Sequence, residues 1–337
     1  MIIASSAAPP GARSVDAMAP PTSRAHRLLL PARQFGTVIG LVALCAVLWI
    51  LTPHFLTVSN LLNVAEQTSI NAIVAVGMTF VILSAGIDLS VGSIVAIAGV
   101  VLGTALQAGQ PLVVALALGV ATGFACGLAN GALISWGGLP PFIVTLGTMS
   151  IARGAALLFT EGRPISGFDA GFRMLATGRA GFVPAPVIVM GIVYAAAHFV
   201  LTRTTFGRYV YAIGGNEEAT RLSGVPVRFH KTMIYGVSGL MSATAAVILT
   251  ARLNSAQPIA GMMYELDAIA ATVIGGTSLM GGDGTLGGTL VGALIMGVLR
   301  NGLNLLGVSS FLQQIVIGGV IVVAVLLDTV LKRRNRT

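Results

Sequence analysis

Long apolar runs separated by short polar breaks dominate the chain, and their length matches a bilayer. A hydrocarbon core needs about 20 apolar residues per helix. Seven runs fit: residues 35–51, 91–106, 111–136, 183–201, 232–251, 287–306 and 311–331. Three more are less regular: 70–85 is short, 142–160 carries Arg153, and 269–280 is short and interrupted by glycine. Together they predict an all-α polytopic membrane protein of about ten transmembrane helices, some of them broken or short. An even number of spans puts both termini on one side.

One polar island stands apart. Residues 203–230 read RTTFGRYVYAIGGNEEATRLSGVPVRFH. Asn216 suits an N-cap, and Glu217 and Glu218 follow in the first turn, where carboxylates meet the positive end of the helix dipole. Gly224 supplies a stop and Pro226 reinforces it. The spacing predicts a helix of about two turns over 217–223, carried on the inter-span loop 203–231. Such a helix is either a docking element or a solvated connector, and local pattern leaves both open.

Composition removes the soluble alternatives. Hydrophobic residues make up 55% of the 337 and charged residues 9%, far below the roughly one quarter that coats a soluble domain. The net charge of +8 invites a nucleic-acid reading, but its distribution argues for topology. Arg13, Arg24, Arg27 and Arg33 precede the first span. Arg203, Arg208, Arg221, Arg228 and Lys231 lie in or beside the central loop, and Lys332, Arg333, Arg334 and Arg336 end the chain. These 13 of 19 basic residues place all three clusters in the cytoplasm by the positive-inside rule. Loop 161–181 is an exception, with Arg163, Arg173 and Arg179 on the outer side.

Domain boundaries follow. Residues 1–35, rich in Pro, Ala, Ser and Arg, read as a disordered cytoplasmic tail without a cleaved leader. Residues 36–331 form the membrane domain, and 332–337 a basic cytoplasmic end. Cys45 and Cys126 fall inside expected spans, which argues against a disulfide framework. The four histidines show no metal-ligand spacing. Of the charges near spans, Arg300 is expected to snorkel and Arg153 to face a wet cavity.

Small residues mark close packing. Gly119, Gly123, Gly127 and Gly131 recur every fourth position and form a seam on one helix face. Gly284, Gly288 and Gly292 repeat the device. Two polar hairpins, 86–92 and 281–287, share the pattern Gly-x-Asp-x-Ser/Thr-Val/Leu-Gly at an offset of 195 residues. Interrupted segments in corresponding positions point to transporter repeats. Asp88 and Asp283 are expected to cap the helices that follow them. The turn 138–142, Gly-Leu-Pro-Pro-Phe, starts its helix with proline in the first turn.

Signatures of chemistry are missing. The only lysines, Lys231 and Lys332, lie outside any phosphate-binding loop, and there is neither a nucleophile elbow nor a zinc-binding helix. The chain reads as a non-enzyme that binds no metal or cofactor of its own. A pore, a secondary transporter and the membrane half of an ATP-driven pump all fit.

Several blocks then resemble one family. GMTFVILSAGIDLSVGSI (77–94), GLPPFIVTLGTM (138–149), GRYVYAIGGNEEATRLSGVPV (207–227), ARLNSAQPIAGMMYELDAIAATVIGGTSLMGG (251–282) and NGLNLLGVSSF (301–311) are similar to permease subunits of ribose-type bacterial ABC sugar importers. The resemblance runs in order from about residue 36 onward. It implies the ABC importer permease fold in the inner membrane, a second permease copy as homodimer or heterodimer, a periplasmic sugar-binding protein, and a separate cytoplasmic ATPase holding ATP and Mg. It further implies that Gly214, Gly215, Asn216, Glu217, Glu218, Ala219, Arg221, Leu222, Ser223 and Gly224 form the segment coupled to that ATPase. Asp88, Ser90, Asn254, Ser255 and Gln257 are the implied positions along the substrate path. The implied activity is alternating-access import of ribose or a related monosaccharide. The alternative is an ion-coupled secondary transporter of a small polar solute, for which Asp88, Asp283, Glu265 and Asp267 are the nearest acids.

Overall fold

The computed structural model describes the backbone of residues 24–334 and the side chains of 36–323, 325 and 326. The chain opens with α1 (Arg24–Leu51), α2 (Val58–Leu83), α3 (Val91–Gln107), α4 (Leu112–Ser135) and α5 (Pro141–Thr160). A loop region follows with β1 (Ile165–Ser166), α6 (Ala170–Thr177), β2 (Arg179–Ala180) and β3 (Val183–Pro184). Then come α7 (Ala185–Arg203), α8 (Thr205–Gly215), α9 (Glu217–Leu222) and α10 (Val227–Leu253). The last elements are β4 (Ser255–Ala256), α11 (Tyr264–Ile274), α12 (Leu286–Leu305) and α13 (Ser310–Arg334). The strands make two minimal antiparallel pairs, β1 with β4 in the register Ile165 to Ala256 and β2 with β3 in the register Arg179 to Pro184.

Each apolar segment of the sequence lies on its own helix. By length and composition α2, α4, α5, α7, α10 and α12 can each cross a membrane. Shorter apolar stretches lie at Gly36–Leu51, Val91–Gln107 and Ser310–Val323. The 11 residues of α11 rise only about 16 Å, and an irregular connection carries the chain on to α12.

α2 is the axis of the bundle. From Thr68 to Leu83 every residue except Asn71 is buried, against α10, α12, α11 and α7. The expected segment 70–85 therefore starts too late. Thr57 caps α2 by accepting from the Asn60 N–H at 3.3 Å, and the polar first turns hide the helix from a hydropathy reading. Those polar groups have partners elsewhere in the chain: Asn60 and Asn301 exchange hydrogen bonds at 3.0 and 2.9 Å, and Asn63 accepts from Arg252.

Four further expectations change. Of the tail placed at 1–35, residues 1–23 lie outside the described residues, and 24–35 belong to α1, where Ala, Arg, Leu and Gln are good helix formers. Thr285, not Asp283, caps α12, accepting from the Gly288 N–H at 3.1 Å. Arg300 does not snorkel. Its Nη2 reaches both oxygens of Asp267 at 2.7 and 2.9 Å. Arg153 spends its Nη1 on the carbonyls of Pro258 and Ala260, at 2.8 and 2.7 Å, pinning the segment after β4 to α5.

The glycine seam of α4 meets α10. A Cβ on Gly123 would lie 2.6 Å from both the Ala243 Cβ and the Gly239 carbonyl, and one on Gly131 would lie 2.5 Å from the Thr232 Cα. Gly127 abuts the Tyr235 carbonyl, while Gly119 turns to α3 at Leu102 and Ala98. The second seam works likewise. Gly292 meets the Ala271 carbonyl and Gly288 the Gly275 carbonyl, on α11 and its end, while Gly284 lies on Thr277.

Candidate functional site

The polar island folds into two helices, α8 and α9, where the sequence predicted one. Thr204 stops α7 and caps α8, accepting from the Gly207 N–H at 3.2 Å. α8 buries Gly207, Val210, Ile213 and Gly214. The sequence signal for it was that spacing, obscured by its exposed polar neighbours. Asn216 then turns into extended backbone at φ −160° and accepts from the Ala219 N–H at 2.9 Å, the N-cap geometry expected of it. The helix ends where Gly224 adopts φ +82°, a conformation that glycine enters without steric cost.

Charge pairs dress α9. Glu217 receives Lys231 of α10 at 2.9 Å, and Glu218 holds Arg221 at 2.7 Å. The Glu218 hydrogen bond and charge raise the Arg221 guanidinium above its ordinary value. Such exposed pairs contribute little stability. Their effect is local order. Leu222, 78% exposed, is an apolar residue on this charged helix. Between α9 and the proline turn runs a groove of about 580 Å³, walled by Leu139, Pro140 and Pro141 opposite Glu217, Glu218 and Arg221. Arg228, also on the groove, stands 5.5 Å over the ring of Trp136. Gly215 through Gly224, apart from the buried Thr220, thus form one capped surface feature, while Gly214 is buried beneath it.

The five expected path residues do not gather. Asp88 and Ser90 have no exposed surface. Asp88 accepts from the Ser90 N–H at 2.9 Å, the Ser90 hydroxyl at 2.6 Å and the Ser238 hydroxyl at 2.7 Å. The first bond makes an Asx-turn ahead of α3, where Ser90 occupies the cap position. Asn130 of α4 donates to the Ser90 hydroxyl at 2.9 Å, and Thr148 of α5 donates to Asn130. Asn130, Thr148 and Ser238 escaped the sequence reading, although each is a polar residue within an apolar run. Asn254 lies 16 residues beyond Ser238 in chain order, at the far end of α10 and so about 24 Å along its axis. It holds φ 50° and accepts from the Phe168 N–H at 3.0 Å. Ser255 sits in β4, with its hydroxyl 3.1 Å from that of Ser166, and Gln257 begins the turn closed by Ala260.

A bundle of apolar helices around a sealed polar centre is a multi-pass membrane protein. A family profile described as "Branched-chain amino acid transport system / permease component" matches residues 60–325, and the chain belongs to that permease family. It is 48% identical over 309 residues to the ribose import permease protein RbsC of Haemophilus influenzae, covering 90% of this chain and 95% of that one. The RbsC of Bacillus subtilis is 50% identical over 298 residues, with 88% and 92% covered. The D-allose transport system permease protein AlsC of Escherichia coli is 40% identical over 302 residues, with 89% and 93% covered. No solved structure matches the chain.

Proposed function

We propose that the chain is the membrane-spanning permease subunit of an ATP-driven importer for ribose or a closely related monosaccharide, placed in the inner membrane with both termini in the cytoplasm. The observation that carries this is identity of about half over some nine-tenths of the chain to proteins named as ribose import permeases. Its partners are a cytoplasmic ATPase that binds ATP and Mg, a periplasmic sugar-binding protein and a second permease copy. The ion-coupled alternative has no comparable support, and Asp267, one of its candidate acids, is already paired with Arg300.

Segment 214–224 is the coupling surface. Closure of the ATPase dimer pushes the α9 helices of the two permeases together. The halves then rock from inward-facing to outward-facing, accept sugar from the docked binding protein, and reset after hydrolysis. The glycine seams hold the helices close, so that they can move as packed units between the two arrangements. Asp88, Ser90, Asn254, Ser255 and Gln257 are positions along the path in the states that open it.

Purification of the tagged chain with its co-expressed partners tests this reading. A stoichiometric ATPase, its turnover stimulated by the binding protein, is the expected result. A chain that stays alone and takes up solute on an ion gradient overturns it. Charge reversal of both Glu217→Lys and Glu218→Lys, which sets Lys231 and Arg221 against like charges, lowers the coupled ATPase activity while membrane insertion stays intact. Normal uptake by that variant removes α9 from the coupling role.

A further inference from the structure

Movement of the cytoplasmic loop has to enter the bundle through some contact. α9 packs on α8 and on the start of α10, but α8 reaches further. Its last turn ends against two other segments at once. A Cβ on Gly214 would fall on the carbonyl of Leu83, at the end of α2, and within 2.6 Å of the Gly282 nitrogen. Gly282 in turn donates its N–H to the Leu83 carbonyl at 2.9 Å. One turn back, the Tyr211 hydroxyl donates to the Gly284 carbonyl at 2.9 Å.

Gly284 lies next to Thr285, the cap of α12. Across the same junction Ala85 ends α2 in the left-handed region, at φ 60°, which a non-glycine residue adopts at a cost of about 1 kcal/mol or more. A Cβ on Gly281 would stand 2.8 Å from both the nitrogen and the Cβ of Ala85. The end of α2, just ahead of the first hairpin, therefore meets the second hairpin here, with the end of α8 wedged beside them. Higher in the bundle, the Thr79 and Thr289 hydroxyls bond at 2.9 Å and tie α2 to α12 again.

We propose that the Gly214–Leu83–Gly282 contact and the Tyr211–Gly284 hydrogen bond form the joint that transmits movement of the coupling loop to α2 and α12. This rests on the coupling function proposed above. The contact is backbone against backbone. Side-chain rotamers, which absorb small displacements elsewhere, supply no slack in it. Tyr211 is the positioning residue that fixes the angle of α8 to the α11–α12 connection. Glycine at 214, 281 and 282 lets the three segments approach, and the positive φ of Gly281 and Gly282, +80° and +72°, turns the connection back toward α2.

The test uses the intact complex of permease, ATPase and binding protein in liposomes of Escherichia coli lipid, with labelled ribose as probe. Tyr211→Phe removes one hydroxyl and leaves the ring. The complex should keep its ATPase in stoichiometric amount and keep hydrolysing ATP, while ribose moved per ATP falls about fivefold, as expected for one lost hydrogen bond. Tyr209→Phe is the control, since Tyr209 lies on the same helix with its ring edge-on to His230 at 4.8 Å. It should leave the ratio unchanged. A wild-type ratio in Tyr211→Phe, or an equal fall in Tyr209→Phe, overturns the joint. Failure of any ATPase to accompany the unaltered chain overturns instead the coupling function beneath it.

Discussion

Two carboxylates lie deep in the bundle under different arrangements. Asp88 is met by the amide and hydroxyl of Ser90, ahead of α3, and by the Ser238 hydroxyl of α10, whereas Asp267, with a side chain 3% exposed, is met by the guanidinium of Arg300 and the amide of Asn71. Burying an ion demands that each lone pair find a donor, and removing one member of a buried pair leaves an uncompensated charge. Arg300→Leu should therefore lower stability by about 3–5 kcal/mol, read as a large drop in melting temperature and in monodisperse yield in detergent. Asp267→Asn combined with Arg300→Gln should recover most of that loss. Of these residues the sequence showed the acids and the arginines. It did not show the pairing, because Asp267 and Arg300 are 33 positions apart and meet only when α12 folds back along α11.

Elements tell a mixed story, set by how local their causes are. α9 was legible at its start and to within one residue at its end, Leu222 where 223 was expected, because the Asn216 cap and the Gly224 stop act within a few residues. α8 was not, since its apolar stripe matters only once it packs against α7, α10 and the end of α2. The seam on α4 was visible as a spacing of four, but its partner was not. Gly127→Ala should force a Cβ into the Tyr235 carbonyl of α10 and cost about 1–3 kcal/mol by overpacking. Gly191→Ala on α7, where nothing lies within 4 Å, should be neutral or stabilising by up to about 1 kcal/mol through helix propensity. Thermal unfolding of the two variants in the same detergent checks the contrast. Equal melting temperatures would mean that α4 and α10 are not held by close approach.

At the scale of the molecule, the orientation proposed from the basic clusters is open to direct measurement. In a background lacking Cys45 and Cys126, Ser223→Cys in the turn after α9 should react with a membrane-impermeant thiol reagent only from the cytoplasmic side. Phe182→Cys, at a position 86% exposed between β2 and β3, should react only from the outside. The reverse pattern would invert the topology and remove segment 214–224 from the reach of a cytoplasmic ATPase. The sequence by itself determined that the chain lives in a membrane, where its apolar runs lie, and where α9 begins. Each of these depends on composition, or on chemistry within one or two helical turns. Only the tertiary structure decided that α2 is the buried axis, that Asn130, Thr148 and Ser238 close around Asp88 and Ser90, that Asn254 lies at the other end of α10, and that α8 abuts the hairpin before α12. Those outcomes join residues far apart in the chain, and their energies exist only once the helices have packed.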